Sequence, residues 1–382
     1  METVRLFLAL AAHSGWEVHH MDVKSTFLNV DLVEDVYVAQ PPGYVADGGE
    51  QHVLKLHKAL YGLRQAPRAW YAKLDETLVS LGFVRSQLEH AVYRRGDAQA
   101  YLLVGVYVDD LIITGTHKAH ITTFKDQMQQ LFKMSDLGLL SYYLGIEVSQ
   151  SKDAITLCQR GYAEKILEVA GMSGCNRSHT PMECRLKLRK EDEGKACDAS
   201  LYRSVIGSLR YLVHTRPDIT HAVGIMSSDS DHAGDIGDRK STSGQIFFLG
   251  DNPISWTSQK QKIVAISSCE AEYVAAAAAT CQGLWLSRLL AEMRGETPTE
   301  FKLMVDNKSA IALAKNHVHH DRSKHIDVKF HFIRDCIETG QVKIDFVGTH
   351  DQVADALTKA LGRVRFIELR QKLGVREISS ER

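Results

Sequence analysis

Residues 101–114 read YLLVGVYVDDLIIT, the most apolar stretch of the chain. Its β-branched and aliphatic runs predict two buried strands joined at Asp109-Asp110. Two adjacent carboxylates thus lie between Leu102-Leu103-Val104 and Leu111-Ile112-Ile113. Burying unpaired charge is costly or neutralises the group. Either the pair sits on an exposed hairpin tip, or something cationic compensates it. Asp-Asp is a tolerable turn, and spacing alone leaves both readings open. A second clue is Asp22, which closes a predicted strand over residues 16–23, WEVHHMDV. An aspartate at a strand end beside an Asp-Asp hairpin makes a hard-oxygen set suited to Mg²⁺.

Outward from this centre, residues 33–38 read as a strand before the Pro41-Pro42-Gly43 turn. Residues 66–81 read as a helix with Trp70, Leu74, Leu78 and Leu81 on one stripe, and 119–133 as another helix. Residues 172–200 are polar, rich in Lys and Glu, and predict a connector. A short helix over 201–213 ends before Arg216-Pro217. A new module follows: strands 243–249 and 253–257 joined across Gly250-Asp251-Asn252, then a helix over 268–293. Strand 301–305, helix 308–315, strand 342–347 and a helix from about 352 complete a mixed α/β pattern with no internal repeat.

At 382 residues the chain is long enough for two to three domains. Hydrophobic residues are 44% and charged residues 24%, which excludes wholesale disorder, a collagen-like fibre and a disulfide miniprotein. Lys+Arg 46 against Asp+Glu 47 leaves a net charge of −1, so any basic surface must be local. The 7 cysteines form no C-x-x-C pair, which fits reduced thiols and no zinc knuckle. No apolar run approaches the ~18 residues of a membrane helix. Leu6–Ala12 could pass for a signal-peptide core, but it is flanked by both Glu2 and Arg5. The apolar side of an ordinary helix is the expectation there.

Local basic character does occur. From Gln51 to Leu74 there is no acidic residue, while Lys55, Lys58, Arg64, Arg68 and Lys73 interleave with Tyr61, Trp70 and Tyr71. Cations for phosphates and aromatics for bases suit a template groove. The competing reading is a solvated helix face, and Trp70 itself reads as core. In HVHHDRSKH (317–325), His317, His319, His320 and His325 lack the spacing of three helical metal ligands. A basic, nucleic-acid-facing loop is expected.

Four motifs now carry a resemblance: YVDD (107–110), MDVKSTFLN (21–29), KALYGLRQAPRAWY (58–71) and LGIEV (144–148). Together they resemble the reverse transcriptase of copia-type LTR retrotransposons. The resemblance implies an α+β palm, an antiparallel sheet with helices, in residues 1–150 with the fingers incomplete. Asp22, Asp109 and Asp110 would hold two Mg²⁺ ions, with Mn²⁺ as a substitute. Gln65 would lie near the incoming dNTP, and Lys58, Arg64 and Arg68 along an RNA template and DNA primer.

The second half resembles the RNase H domain of the same family, through DSDHAGD (229–235), RKSTSG (239–244), ISWTSQKQ (254–261), SSCEAEYVA (267–275), VDN (305–307), KHID (324–327) and ADALTK (354–359). This implies an α/β RNase H-like mixed-sheet domain over 227–360. A thumb or connection remnant would occupy 151–226, and a basic C-terminal tail 361–382. Asp229, Glu272, Asp306 and Asp355 would surround two metals and cut RNA in an RNA–DNA hybrid. Lys324 and His350 would meet nucleic acid, His350 assisting product release. Each carboxylate has a competitor. Ser267-x-x-Glu270 is a capping box, which leaves Glu272 as the functional group. Asp306 could cap the next helix, and Asp355 could form a solvated pair with Asp351.

The resemblance runs from about Thr3 to Val375 with two departures. The fingers strands are expected to be incomplete ahead of the palm. TRPDITHAVGIMSS (215–228) also runs straight into DSDHAGD, where the family has a further helical segment and the first RNase H strand. Val223 and Ile225 are expected to serve as a makeshift strand leading to Asp229. Val30, Thr26 and His232 stand where the family usually has Gly, Ala and Trp. Two readings remain: an enzyme fragment in the cytoplasm or a retroelement particle, without membrane partners, or a silent relic that only binds nucleic acid.

Overall fold

The computed structural model describes residues 1–45, 48–49, 51–97, 99–184, 186, 198–230, 240–315 and 327–377, with 228–230 and 327–330 described by their backbone alone. It divides into two compact units. One comprises Ser14–Leu140 with Glu292–Glu296; the other comprises Met1–His13, Ser141–Ala291 and Thr297–Arg382. The first unit ends at Leu140, and the first helix belongs with the second unit.

That helix, α1 (Glu2–Ser14), is buried at every residue from Arg5 to Ala11. This corrects the expectation of a one-sided helix: burial over two consecutive turns means apolar contact all round.

The first unit contains β1 (His19–Val23), β2 (Asp31–Ala39), β3 (Val53–Lys58), α2 (Ala66–Ser80), β4 (Val84–Arg85), β5 (Val92–Arg95), β6 (Leu102–Tyr107), β7 (Asp110–Gly115), α3 (Lys118–Leu131) and β8 (Met134–Leu139). Six strands form an antiparallel sheet in the order β4-β5-β6-β7-β1-β8, while β2 and β3 pair separately. Trp70, Leu74 and Leu78 of α2 share one core with Ile121, Phe124 and Met128 of α3. From the sheet, Met21, Val23, Val104, Leu111 and Ile113 join them. Side chains alternate along a strand. Asp22 lies between Met21 and Val23, and Asp110 adjoins Leu111, so both carboxylates project from the sheet face opposite α2 and α3.

The second unit continues with β9 (Tyr142–Tyr143), β10 (Ile146–Gln150), β11 (Ile155–Cys158), α4 (Arg160–Val169), α5 (Ala199–Leu212), α6 (Thr220–Ser230), β12 (Thr242–Leu249), β13 (Asn252–Lys260), α7 (Ser268–Arg294), β14 (Phe301–Val305), α8 (Lys308–Lys315), α9 (Asp327–Glu338), β15 (Val342–Phe346) and α10 (Arg363–Lys372). The β12–β13 hairpin turns at Gly250-Asp251, and β14 pairs in parallel with β15. Residues of α7, α8, α9, β14 and β15 form one core, including Tyr273, Ala277, Val305, Ala310, Ile333 and Ile344.

Four expectations need correction here. Residues 220–230 are helical, not a makeshift strand: Thr220, His221, Ala222 and Val223 are buried in succession, which a period-two strand cannot do. The helix expected from 352 is a short 3₁₀ turn, Val353–Leu357, followed by α10 after Gly362. The supposed tail therefore folds, with Phe366, Leu369 and Leu373 buried. Finally, α7 is long and apolar enough to cross a membrane by length and composition, yet 56% of its apolar window is buried in protein. Small residues interleaved with polar ones hid it from a search for an unbroken run. Of the expected connector, residues 185 and 187–197 lie outside the described residues, as do the histidine-rich loop and Lys324.

Candidate active sites: two carboxylate clusters

In the first unit, Asp22 and Asp110 are direct partners across β1 and β7. Tyr107 pairs with Asp110, so Val108 and Asp109 make the hairpin turn and Asp110 opens β7. The joint lies one residue earlier than the sequence suggested. Val108 holds φ at +56°, where a β-branched residue is a conformational outlier costing about 1–3 kcal/mol. Two hydrogen bonds hold the turn there. Trp70 Nε1 donates to Val108 O at 2.6 Å, and Val23 N donates to Asp109 O at 3.0 Å. Trp70 is therefore core, as its sequence suggested, and also a prop for the acidic turn.

His20 Nε2 donates to Asp110 Oδ1 at 2.6 Å. His20 precedes Asp22 by two residues and shares its face, which sets it diagonally across from Asp110. Both earlier alternatives are thus partly realised: Asp109 sits in the turn, and Asp110 has a basic partner. Burial pushes the Asp109 pKa up, and the charges of Asp110 and Asp22 push it the same way, against a backbone hydrogen bond.

The second unit assembles three more carboxylates. Glu272 stands in the second turn of α7, Asp306 directly follows β14, and Asp355 lies in the 3₁₀ turn. Burial raises the Glu272 pKa first, then the charges of Asp306 and Asp355, while Lys359 opposes them. Lys359 Nζ lies 2.9 Å from Asp355 Oδ1. The competing structural roles fall to other residues. Glu270 completes the capping box, accepting from Ile266 N and donating its own N–H to Ser267 Oγ. Asn307, not Asp306, accepts from Ala310 N at the start of α8. Asp351 pairs with Lys372, and Asp355 is buried, so no solvated pair forms between them. Gly244 lets β12 reach this cluster: a Cβ there would come within 3.0 Å of Leu357, Thr358 and Ala354 O. The fourth acid, Asp229, has its backbone in the last turn of α6, and its side chain lies outside the described ones.

Each cluster is an all-oxygen set in which neighbours raise a carboxyl pKa, the donor chemistry and electrostatic debt that a hard divalent cation satisfies. Among the described residues, however, no three acidic, histidine or cysteine side chains converge into a preformed metal cage.

A family model described as reverse transcriptase (RNA-dependent DNA polymerase) matches residues 1–184. The Retrovirus-related Pol polyprotein from transposon RE1 of Arabidopsis thaliana is 36% identical over 420 aligned positions, covering 98% of this chain and 28% of that protein. The corresponding polyprotein from transposon TNT 1-94 of Nicotiana tabacum is 35% identical over 427 positions, covering 98% of this chain and 32% of that protein. The chain belongs to the copia-type retrotransposon Pol family. It spans roughly three-tenths of these Pol relatives' length. An alignment of 420 positions against 382 residues also means that the RE1 Pol carries at least 38 positions absent here.

Around the Pol palm, Lys58, Arg64 and Arg68 are exposed, with no ion-pair partner among the described residues. Lys55 is instead spent on Asp35 at 2.6 Å. Gln65 is half-buried at the N-cap of α2, and its side chain makes no capping bond, leaving the amide available. The Tyr61 and Phe27 rings pack at a tilt, with centroids 4.6 Å apart. In the second unit His350 is exposed, 3.6 Å from Asp351 and 3.7 Å from Glu368. Sequence reading missed three supporting residues: His20, the Trp70 bond to Val108, and Lys359. The signals were faint: a histidine two residues before Asp22, and a lysine four after Asp355.

Proposed function

We propose that this Pol fragment is an RNA-directed DNA polymerase joined to an RNA–DNA hybrid ribonuclease, each working by two-metal catalysis. The observation that carries the reading is the facing pair Asp22 and Asp110, with Asp109 in the adjoining turn, inside a segment matching reverse transcriptases. Asp22, Asp109 and Asp110 would hold Mg²⁺, or Mn²⁺, in the palm; Glu272, Asp306, Asp355 and Asp229 would do so in the ribonuclease. The ions would supply charge neutralisation and activation of the attacking oxygen. His20 fixes one oxygen of Asp110 and turns the other toward the site. Trp70 holds the Asp109 turn. Arg64, Arg68 and Lys58 bind backbone phosphates of the RNA template and DNA primer, and Gln65 meets the incoming dNTP. His350, exposed beside the Asp355 turn, contacts the hybrid, as does Lys324. Such a fragment would act in the cytoplasm or in a retroelement particle.

One observation favours a second reading for the ribonuclease. The chain lacks at least 38 positions of a relative, and a helix precedes Asp229 in place of a strand. A silent relic that only binds nucleic acid would have that character.

A single gel separates the readings: end-labelled RNA annealed to a DNA primer, with dNTPs and Mg²⁺, comparing wild type with Asp110→Asn and Asp306→Asn. Extension lost in Asp110→Asn and cleavage lost in Asp306→Asn support both activities. A wild type that binds the hybrid but does neither establishes the relic.

A further inference from the structure

Helix α1 packs in the second unit although the whole segment Ser14–Leu140 separates it from the rest of that unit. Arg5 is only 5% exposed. Its Nε donates to Ile254 O at 2.8 Å and its Nη1 to His214 O at 3.0 Å. The guanidinium lies 3.8 Å from the centroid of Trp256. Glu2 accepts from Ser255 Oγ through Oε1 and from Gln282 Nε2, at 3.1 Å, through Oε2. Trp256 is itself fixed, since its Nε1 donates to Val213 O at 3.0 Å. The acceptors at Val213 and His214 are carbonyls at the C-terminal end of α5, where the helix dipole favours a cation. Guanidinium stacking on indole adds a geometry that lysine does not reproduce. Downstream of α1, Gly15 at φ +66° has nothing within 4 Å of where a Cβ would stand. The joint is open.

We propose that His214, Ile254, Ser255, Trp256 and Gln282 form a socket that recognises residues 1–13 as a separable helical ligand, including the same segment of a second copy. Recognition rests on contacts within α1 and the socket, not on the chain between them, so connectivity adds only effective concentration. Two copies trading α1 would form a domain-swapped pair. This inference is independent of either catalytic reading.

The test inserts a protease site at Gly15 of the full chain, cuts the folded protein, and passes it through gel filtration. Residues 1–14 are expected to co-elute with the remainder. A labelled 1–14 peptide added in excess should exchange in. With Arg5→Met, which keeps an apolar stem but removes the donors, the cut segment should be lost. Should that variant fail to fold, Glu2→Ala serves instead, and faster exchange of the labelled peptide is expected. Release of the wild-type segment overturns the proposal, whether the remainder stays soluble or precipitates. Retention or exchange unchanged by these substitutions overturns it equally, since the polar contacts would then recognise nothing.

Discussion

Val108 is an unfavourable residue for its position, and the Trp70 bond shows what holds it there. Trp70→Phe keeps an aromatic ring in the core but loses one hydrogen bond, a net cost of about 1 kcal/mol, and leaves a cavity where the larger indole stood, which adds to that cost. The larger expected effect is on activity, since Asp109 loses its fixed turn. Primer extension should fall while circular dichroism stays native. Asp110→Asn should cut extension by about 10²–10³-fold, the scale of losing one essential electrostatic group. Filter binding of the hybrid should be unchanged, because equal loss of both would indicate misfolding. The raised carboxyl pKa values give a pH test. A carboxyl whose folded pKa exceeds its unfolded one contributes stability that is full below the unfolded value and lost as pH rises through the folded one. Asp109 and Glu272 both have this sign. Glu272→Gln should therefore melt at a higher temperature than wild type at neutral pH, and the difference should close as pH falls below the ordinary carboxylate range. Millimolar Mg²⁺ at neutral pH should raise the wild-type melting temperature more than that of the variant.

At the level of elements, helix α2 shows how one segment serves two surfaces. Trp70, Leu74 and Leu78 are buried while Arg64 and Arg68 face solvent at its start. If Lys58, Arg64 and Arg68 each contact a phosphate, converting all three to Ala should flatten the plot of log binding constant against log salt by about one per residue. A flat wild-type response would remove the groove. Helix α7 offers a packing test at Gly283. An alanine there gains about 1 kcal/mol of helix propensity, but its Cβ would stand 2.3 Å from the Phe301 ring. Overpacking costs about 1–3 kcal/mol, so Gly283→Ala should destabilise, as a lowered midpoint of urea unfolding. The periodic stripe of α2 and the apolar run of β6 and β7 were legible because burial there follows a local period. The two-residue β4 and β9 carry no such period. Residues 223–225 misled because two alternating apolar residues also fit a buried helix. Most telling is α1, whose apolar run was visible but whose partners His214 and Ile254 lie beyond any local pattern. His20 was invisible for the same reason, since only the pairing register sets it against Asp110.

For the whole molecule, the contact pattern gives two units, each with its own core and its own acidic cluster. The first core lies wholly within Ser14–Leu140, and the second is built from α7 through β15. A unit with its own core is expected to unfold as its own cooperative step. Scanning calorimetry is expected to resolve two transitions. Asp109→Asn relieves a half-buried, mutually repelling carboxyl in one unit, and Glu272→Gln does so in the other. Each substitution should therefore raise one transition and leave its companion in place. Arg5→Met supplies the decisive control. Residues 1–13 precede the first unit in sequence but pack with the second, so this N-terminal substitution should lower the transition that Glu272→Gln raises. Were it to lower the transition that responds to Asp109→Asn, the assignment of α1 to the second unit would be wrong. A single transition shifted by all three would show that the two acidic clusters belong to one cooperative core.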